Sequence, residues 1–317
     1  MHGTLSTLQQ QGAEARLRLA CRWFGGMAPR LLGRWAAGQF NATRPTRDRP
    51  RDIPPLGAQR FAIDGAGGVT HGWLWPQDGP AALLVHGWGT DSRSMLGLVR
   101  PLQQLGLKVA VFDAPAHGVW PGRTTTMTDF TATTAAALRG LGDVAVVAAH
   151  SAGAIAAIAA LADQCALRRQ LHALVLLAPA CSLPLLLEQW AVAGHALPRP
   201  VVEVVYSELQ RRNGVPVSHW DAASLGRDLS TPALVLHDPC DPVVPYLHAA
   251  RLVDHLPMAR LSMMPAAGHA GVLHSPDTRR QVASFVREQL HGRAAGGPSI
   301  GMPGPPRAAC PALPVQP

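Results

Sequence analysis

The sequence predicts an α/β fold: a mainly parallel sheet of about eight strands, helices on both faces, and a small helical cap. Three observations predict it. Short continuous apolar runs (AALLVHG, LKVAVFDAP, DVAVVAAHS, LHALVLLAP, PALVLHD) recur along the chain, as strands buried on both faces require. Segments with helical spacing separate them, as the crossovers between parallel strands do. Between about residues 180 and 230 this alternation stops, and two longer apolar or amphipathic segments take its place.

The elements follow in chain order. Residues 1–12 carry no pattern and should fray. Residues 13–40 place Leu17, Cys21, Phe24, Met27, Leu31 and Trp35 near helical spacing, opposed by Arg18, Arg22, Arg30 and Arg34. Gly25-Gly26 and Pro29 should split this stretch into two short helices. The expected arrangement packs the apolar stripe on the chain's own domain with the arginines solvated; docking on an anionic membrane surface is the alternative. Residues 41–58 are rich in proline and arginine and suit an extended linker.

From about residue 59 the pattern becomes regular. RFAID and THGWLW suit two opening strands joined by the turn GAGG. Strands and helices then alternate through AALLVHG, the helical SMLGLVRPLQQLG, LKVAVFDAP, the helical TDFTATTAAALRGLG, DVAVVAAHS, the helical AIAAIAALADQ and LHALVLLAP. The interlude holds LPLLLEQWAVAG and VVEVVYSELQRRNG, both expected to be helical, and a loop with His219-Trp220. PALVLHD, the helical YLHAARLVDHL, ARLSMMP and the helical SPDTRRQVASFVREQL complete the series. The chain thus divides into an N-terminal extension and linker (1–58), a main domain (59–291) with its cap at about 180–230, and a Pro/Gly-rich tail (292–317) expected to be disordered.

Bulk composition narrows the function. The 317 residues are 47% hydrophobic with a formal net charge of +8. That charge is uneven. Residues 1–60 hold ten arginines against Glu14, Asp48 and Asp52, whereas residues 61–290 hold 16 basic and 17 acidic groups. A nearly neutral body argues against nucleic-acid binding. No apolar run is long enough to span a bilayer. The N-terminus lacks the apolar core of a secretory signal, and five scattered cysteines suit free thiols, so a cytoplasmic location is expected. The fourteen histidines show no metal-ligand spacing, and neither metal nor cofactor is expected.

The chemistry centres on Ala149-His150-Ser151-Ala152-Gly153, between an apolar strand-like run and an alanine-rich helical run. A serine on a sharp strand-to-helix turn needs small residues two positions either side, and Ala149 and Gly153 meet that need. The helix starting near Ala152 aims its free N–H groups close to the Ser151 hydroxyl. A serine hydroxyl needs a base, and the base needs an orienting acid. The loop HDPCDPVVP after one later strand offers Asp238 and Asp241; AAGHAGVLH after the next offers His269 and His274. Both loops fall at carboxyl ends of expected strands, where open α/β sheets place their sites. LVHGWG ends an earlier strand, and Gly87 and Gly89 allow a turn that presents the Trp88 N–H beside that of Ala152, a pair suited to an oxyanion. His86 is expected to shape the oxyanion turn, His150 to be a structural neighbour of Ser151, and Asp113 and His117 to stabilise a nearby loop.

Together, LLVHGWG, VFDAPAHG, AHSAG, HDPCDPVVP and AGHA over roughly residues 60–290 resemble the α/β-hydrolase superfamily. The resemblance implies the α/β-hydrolase fold, with Ser151 as nucleophile, Asp241 as acid, His269 as base, and Trp88 and Ala152 as backbone oxyanion donors. Asp241 is preferred to Asp238 because the family's acid commonly stands three residues before a Val-Pro such as Val244-Pro245; His269 is preferred to His274 for its Gly-His pair. Ala149 departs from the family's glycine, and Asp238 stands where glycine is common. The implied activity is a serine hydrolase cleaving an ester, or a related thioester or amide, of an uncharged or apolar small molecule. Acyl transfer, C–C cleavage and a non-catalytic scaffold are the alternatives on the same fold.

Overall fold

The computed structural model describes residues 19, 26–43, 52–65 and 68–294. An eight-stranded sheet forms its centre, in the order β1-β2-β4-β3-β5-β6-β7-β8. The strands are β1 (Gln59–Gly65), β2 (Gly68–Trp75), β3 (Ala81–Val85), β4 (Lys108–Phe112), β5 (Val144–His150), β6 (Ala173–Leu177), β7 (Ala233–His237) and β8 (Ala259–Met263). β1 pairs antiparallel with β2, and β2 with β4; every later pairing is parallel.

The helices are α1 (Pro29–Phe40), α2 (Val99–Gln103), α3 (Met127–Leu141), α4 (Gly153–Ala162), α5 (Cys165–Gln170), α6 (Leu183–Glu188), α7 (Arg199–Asn213), α8 (Ala222–Leu225), α9 (Tyr246–His255), α10 (Gly271–His274) and α11 (Pro276–Ala294). The alternation of side chains along each strand feeds two cores. Ala81, Leu83 and Val85 of β3 face the core beneath α3 and α4, whereas Ala82 and Leu84 face the one beneath α2 and α11. Strands buried on both faces explain the unbroken apolar runs of the sequence.

SMLGLVRPLQQLG differs from the single helix expected. Ser92–Leu98 is a 3₁₀ turn and only Val99–Gln103 is α-helical. Pro101 lacks the N–H that would close an α-turn onto Gly97. Between β6 and β7, α6 runs into a π-helical turn (Gln189–Gly194), followed by α7, and these form the helical cap. The expected disordered tail from 292 and the expected helix over the first part of 13–40 fall mostly outside the described residues, although α11 continues to Ala294.

One expectation is corrected. Met27 and Leu31 of the stripe do not pack on the protein, and Trp35, 37% exposed, does so only in part. Met27 and Leu31 are 81% and 72% exposed, and the buried face of α1 is Gly33, Ala36 and Ala37. Small residues win because α1 lies tightly along α7: a β-carbon at Gly33 would collide with Val204. The arginines Arg30 and Arg34 are exposed, as expected.

Candidate active site

Ser151 follows the last residue of β5 and precedes α4. Its φ of +52° lies in the left-handed region, which a non-glycine residue adopts only when its surroundings hold it there. Those surroundings are visible. The Ser151 N–H donates to the Leu177 carbonyl at 3.0 Å, and its own carbonyl accepts from Ala154 and Ala180. Gly153 is required because a β-carbon there would strike the His86 carbonyl oxygen. Ala149 fits because its methyl is absorbed in the sheet, fully buried in register with Val85 and Leu176.

The Ser151 Oγ lies 3.0 Å from Nε2 of His269, and Nδ1 of His269 lies 2.7 Å from Oδ2 of Asp241. His269 arrives on the loop after β8, and Asp241 on the loop after β7. The other carboxylate oxygen of Asp241 accepts from the N–H groups of Val243 and Val244. Burial alone would raise the Asp241 pKa; the His269 hydrogen bond and these two N–H groups outweigh it and hold the pKa below the usual carboxylate value. Such a carboxylate stays ionised and fixes the imidazole with its bare Nε2 toward the hydroxyl.

Asp238 and His274 stand elsewhere. The carboxylate of Asp238 accepts from Cys240 N–H and, at 2.6 Å, from Gly268 N–H, so it ties down the backbone next to His269 rather than its ring. His274 is exposed on α10 at the cavity wall.

The Trp88 and Ala152 segments meet at Ser151. A β-carbon at Gly87 would lie 2.9 Å from Cβ of Ser151, so glycine lets the turn before Trp88 approach the hydroxyl. Among the described residues, neither Trp88 nor Ala152 gives its backbone N–H to another backbone group. A developing oxyanion at Ser151 would need two such unengaged donors.

Two histidines hold this turn, and Asp113 ties the loops beside it. Nε2 of buried His86 accepts from Ala114 N–H, which leaves Nδ1–H to donate to the Gly87 carbonyl. The Gly89 N–H donates to Nε2 of His117 at 3.0 Å. Asp113 accepts from Ser92 and Val119 N–H groups.

Ser151 opens into a cavity of about 1050 Å³. Apolar side chains from the cap (Leu183, Leu186, Trp190) and from the core (Trp88, Met127, Leu273) dominate its wall. The end of α1 completes it. Phe40 meets Trp190 edge-on at 5.2 Å, and the Ala42 carbonyl accepts from the indole N–H of Trp88 at 3.0 Å. No sequence signal marked this contribution, because contacts across 46 residues leave no local pattern. The only carboxylate among the described lining residues is Asp91, which is engaged by Arg93. Among the described residues, no group of three or more His, Cys, Asp or Glu is arranged to hold a metal ion.

Comparison with known proteins places this geometry in context. A family model described as "Serine aminopeptidase, S33" matches residues 79–222, less than half of the chain. An esterase of Pyrococcus furiosus is similar in structure, with a TM-score of 0.58 at 18% identity over 76% of this chain and 99% of its own. Est1E of Butyrivibrio proteoclasticus, seen with ferulic acid bound, is similar at TM-score 0.57 and 19% identity, over 74% of this chain and 99% of its own. A thermophilic esterase of Thermogutta terrifontis reaches TM-score 0.53 at 21% identity, over 74% and 98%. No curated protein matches the chain. The sheet order and these similar structures agree on one point: the chain has the α/β-hydrolase fold.

Proposed function

We propose that the protein is a serine hydrolase that cleaves carboxylic esters of uncharged, apolar-acyl substrates through an acyl-enzyme. The observation that carries this reading is the relay from Ser151 Oγ to His269 Nε2 (3.0 Å) and from His269 Nδ1 to Asp241 (2.7 Å), opening into an apolar cavity. In the first half-reaction His269 takes the hydroxyl proton as Ser151 attacks the ester carbonyl carbon. The N–H groups of Trp88 and Ala152 hold the tetrahedral oxyanion. His269 then gives the proton to the departing alkoxide. In the second half-reaction His269 deprotonates water, which attacks the acyl carbon; as the bond to Oγ breaks, His269 returns that proton to Oγ, releasing the acid and free Ser151. Asp241 stabilises the imidazolium in both.

The esterases named above support an ester as substrate. An aminopeptidase must hold the ammonium of a free peptide terminus, whereas the one carboxylate among the described lining residues is already paired with Arg93. Initial rates on a p-nitrophenyl ester series, beside an aminoacyl p-nitroanilide, test the reading. Ester turnover is expected, with kcat falling at least about 10⁴-fold in Ser151→Ala and His269→Ala. Turnover of the anilide alone, or ester turnover that survives Ser151→Ala, contradicts it.

A further inference from the structure

Helix α1 is built inside out for a helix that only packs on its own protein. Its small residues Gly33, Ala36 and Ala37 are buried, Gly33 against α7, whereas Leu31, in line with Met27 just before the helix, faces outward and Trp35, one turn on, is only partly exposed at the edge of the same stripe. Trp35 is 37% exposed, and Leu31 about twice that. Arg30 and Arg34 run beside this stripe, also one turn apart and exposed, and the helix contains no acidic residue. A contiguous exposed apolar stripe marks an interaction surface.

Charge and shape identify what covers it. Residues 1–25 bring Arg16, Arg18 and Arg22 against Glu14 alone, so that segment cannot neutralise Arg30 and Arg34. A second copy stacked on the same face would set arginine against arginine. The stripe is the ridge of a helix flanked by arginines, so the surface that covers it must admit that ridge and carry negative charge. An anionic lipid surface does both: apolar side chains enter the boundary of the acyl chains while arginines meet the phosphates. The position is also suited to it. The other end of the same helix, Gln39 and Phe40, lines the cavity that holds Ser151.

We propose that the outer face of α1 docks the protein on anionic phospholipid membranes, with Met27, Leu31 and Trp35 entering the bilayer interface and Arg30 and Arg34 contacting headgroup phosphates. Docked in this way, α1 brings the Ser151 cavity beside a lipid phase from which acyl substrates can enter. That last consequence rests on the hydrolytic reading; the docking itself does not.

Co-sedimentation of the full chain carrying Ser151→Ala, with phosphatidylcholine vesicles lacking or containing phosphatidylglycerol, separates the two. Binding is expected with the anionic vesicles only, and it should weaken at high salt. Arg30→Gln with Arg34→Gln should weaken binding roughly thirtyfold. Leu31→Ser with Trp35→Ser should weaken it at least about tenfold. None of these four side chains lines the cavity, so hydrolysis of a short soluble ester by the same variants on the Ser151 background should be unchanged. No binding to anionic vesicles, or binding that all four substitutions leave intact, overturns the proposal. A dimer that Leu31→Ser with Trp35→Ser dissolves assigns the face to a second copy instead. Docking by a protein that hydrolyses no ester would sink the hydrolytic reading and leave the docking standing.

Discussion

His150, the residue before Ser151, donates from Nε2 to the carbonyl oxygen of His269 at 3.1 Å, and the two rings lie 4.8 Å apart. The strand that leads into Ser151 therefore also holds the backbone of His269. Burial, reinforced by the nearby His269, pushes the His150 pKa down to about 3, so the ring stays neutral and keeps the donor on Nε2. In His150→Ala the loop around His269 loses this tie. Steady-state kinetics should show kcat reduced by roughly 10- to 100-fold with KM nearly unchanged, the signature of a misplaced base rather than a lost contact with substrate.

Buried histidines make the fold acid-sensitive. Burial drives His150 to about 3 and, with neighbouring His237, His248 to about 4; in the unfolded chain both return to about 6.5. Below pH 6.5 the unfolded state binds protons that the native state refuses, so stability falls as pH falls. The loss should reach about 2 kcal/mol per histidine by pH 5 and continue until each native pKa is passed. Asp241, whose pKa is lowered in the fold, adds to the loss at more acidic pH. Thermal melts between pH 7.5 and about 5 check this; a Tm flat across the window would show that these rings are not held neutral.

Gly153→Ala should cost about 1–3 kcal/mol, because the new methyl meets the rigid His86 carbonyl of the adjacent strand end. Ala149→Gly, four residues earlier, should cost only about 1 kcal/mol through loss of a small buried methyl and greater unfolded-state freedom. Chemical denaturation distinguishes the two. Equal effects would mean that the turn does not depend on the approach of β3.

The two aspartates after β7 should separate cleanly. Asp241→Asn removes the charge that faces the His269 ring, and kcat should fall about 10³- to 10⁴-fold. Asp238→Asn weakens only the anchors on Cys240 and Gly268, and a loss of roughly tenfold is expected. A larger effect at Asp238 would reverse their assignments.

Phe40 and Trp190 close the cavity wall at 5.2 Å from each other. Truncating either to alanine should raise KM several-fold for medium-chain p-nitrophenyl esters and leave the acetate ester almost unaffected. A uniform effect on all chain lengths would place the acyl group elsewhere in the cavity.

The sheet and the elbow were legible in the sequence for one shared reason: both impose local rules. Strands buried on two faces must be apolar throughout, as in AALLV and VAVVA, and a left-handed serine needs Gly153 and a small Ala149 around it. The order of the loops after β5, β7 and β8 brought Ser151, Asp241 and His269 into view, but the choice between Asp238 and Asp241 depended on side-chain direction, which spacing leaves open. Helix α1 misled because amphipathicity favours large residues inward, whereas contact with α7 favoured the small ones. The bond from Trp88 to Ala42 was illegible altogether, since nothing local announces a partner 46 residues away.

The proposed hydrolysis requires Ser151 to be an activated nucleophile. Reaction of the purified protein with a fluorophosphonate, with the adduct mapped by peptide mass spectrometry, tests it most directly. A single adduct on Ser151 is expected, lost in Ser151→Ala and nearly lost in His269→Ala. A folded protein that takes no label, or one labelled equally well without His269, would contradict it.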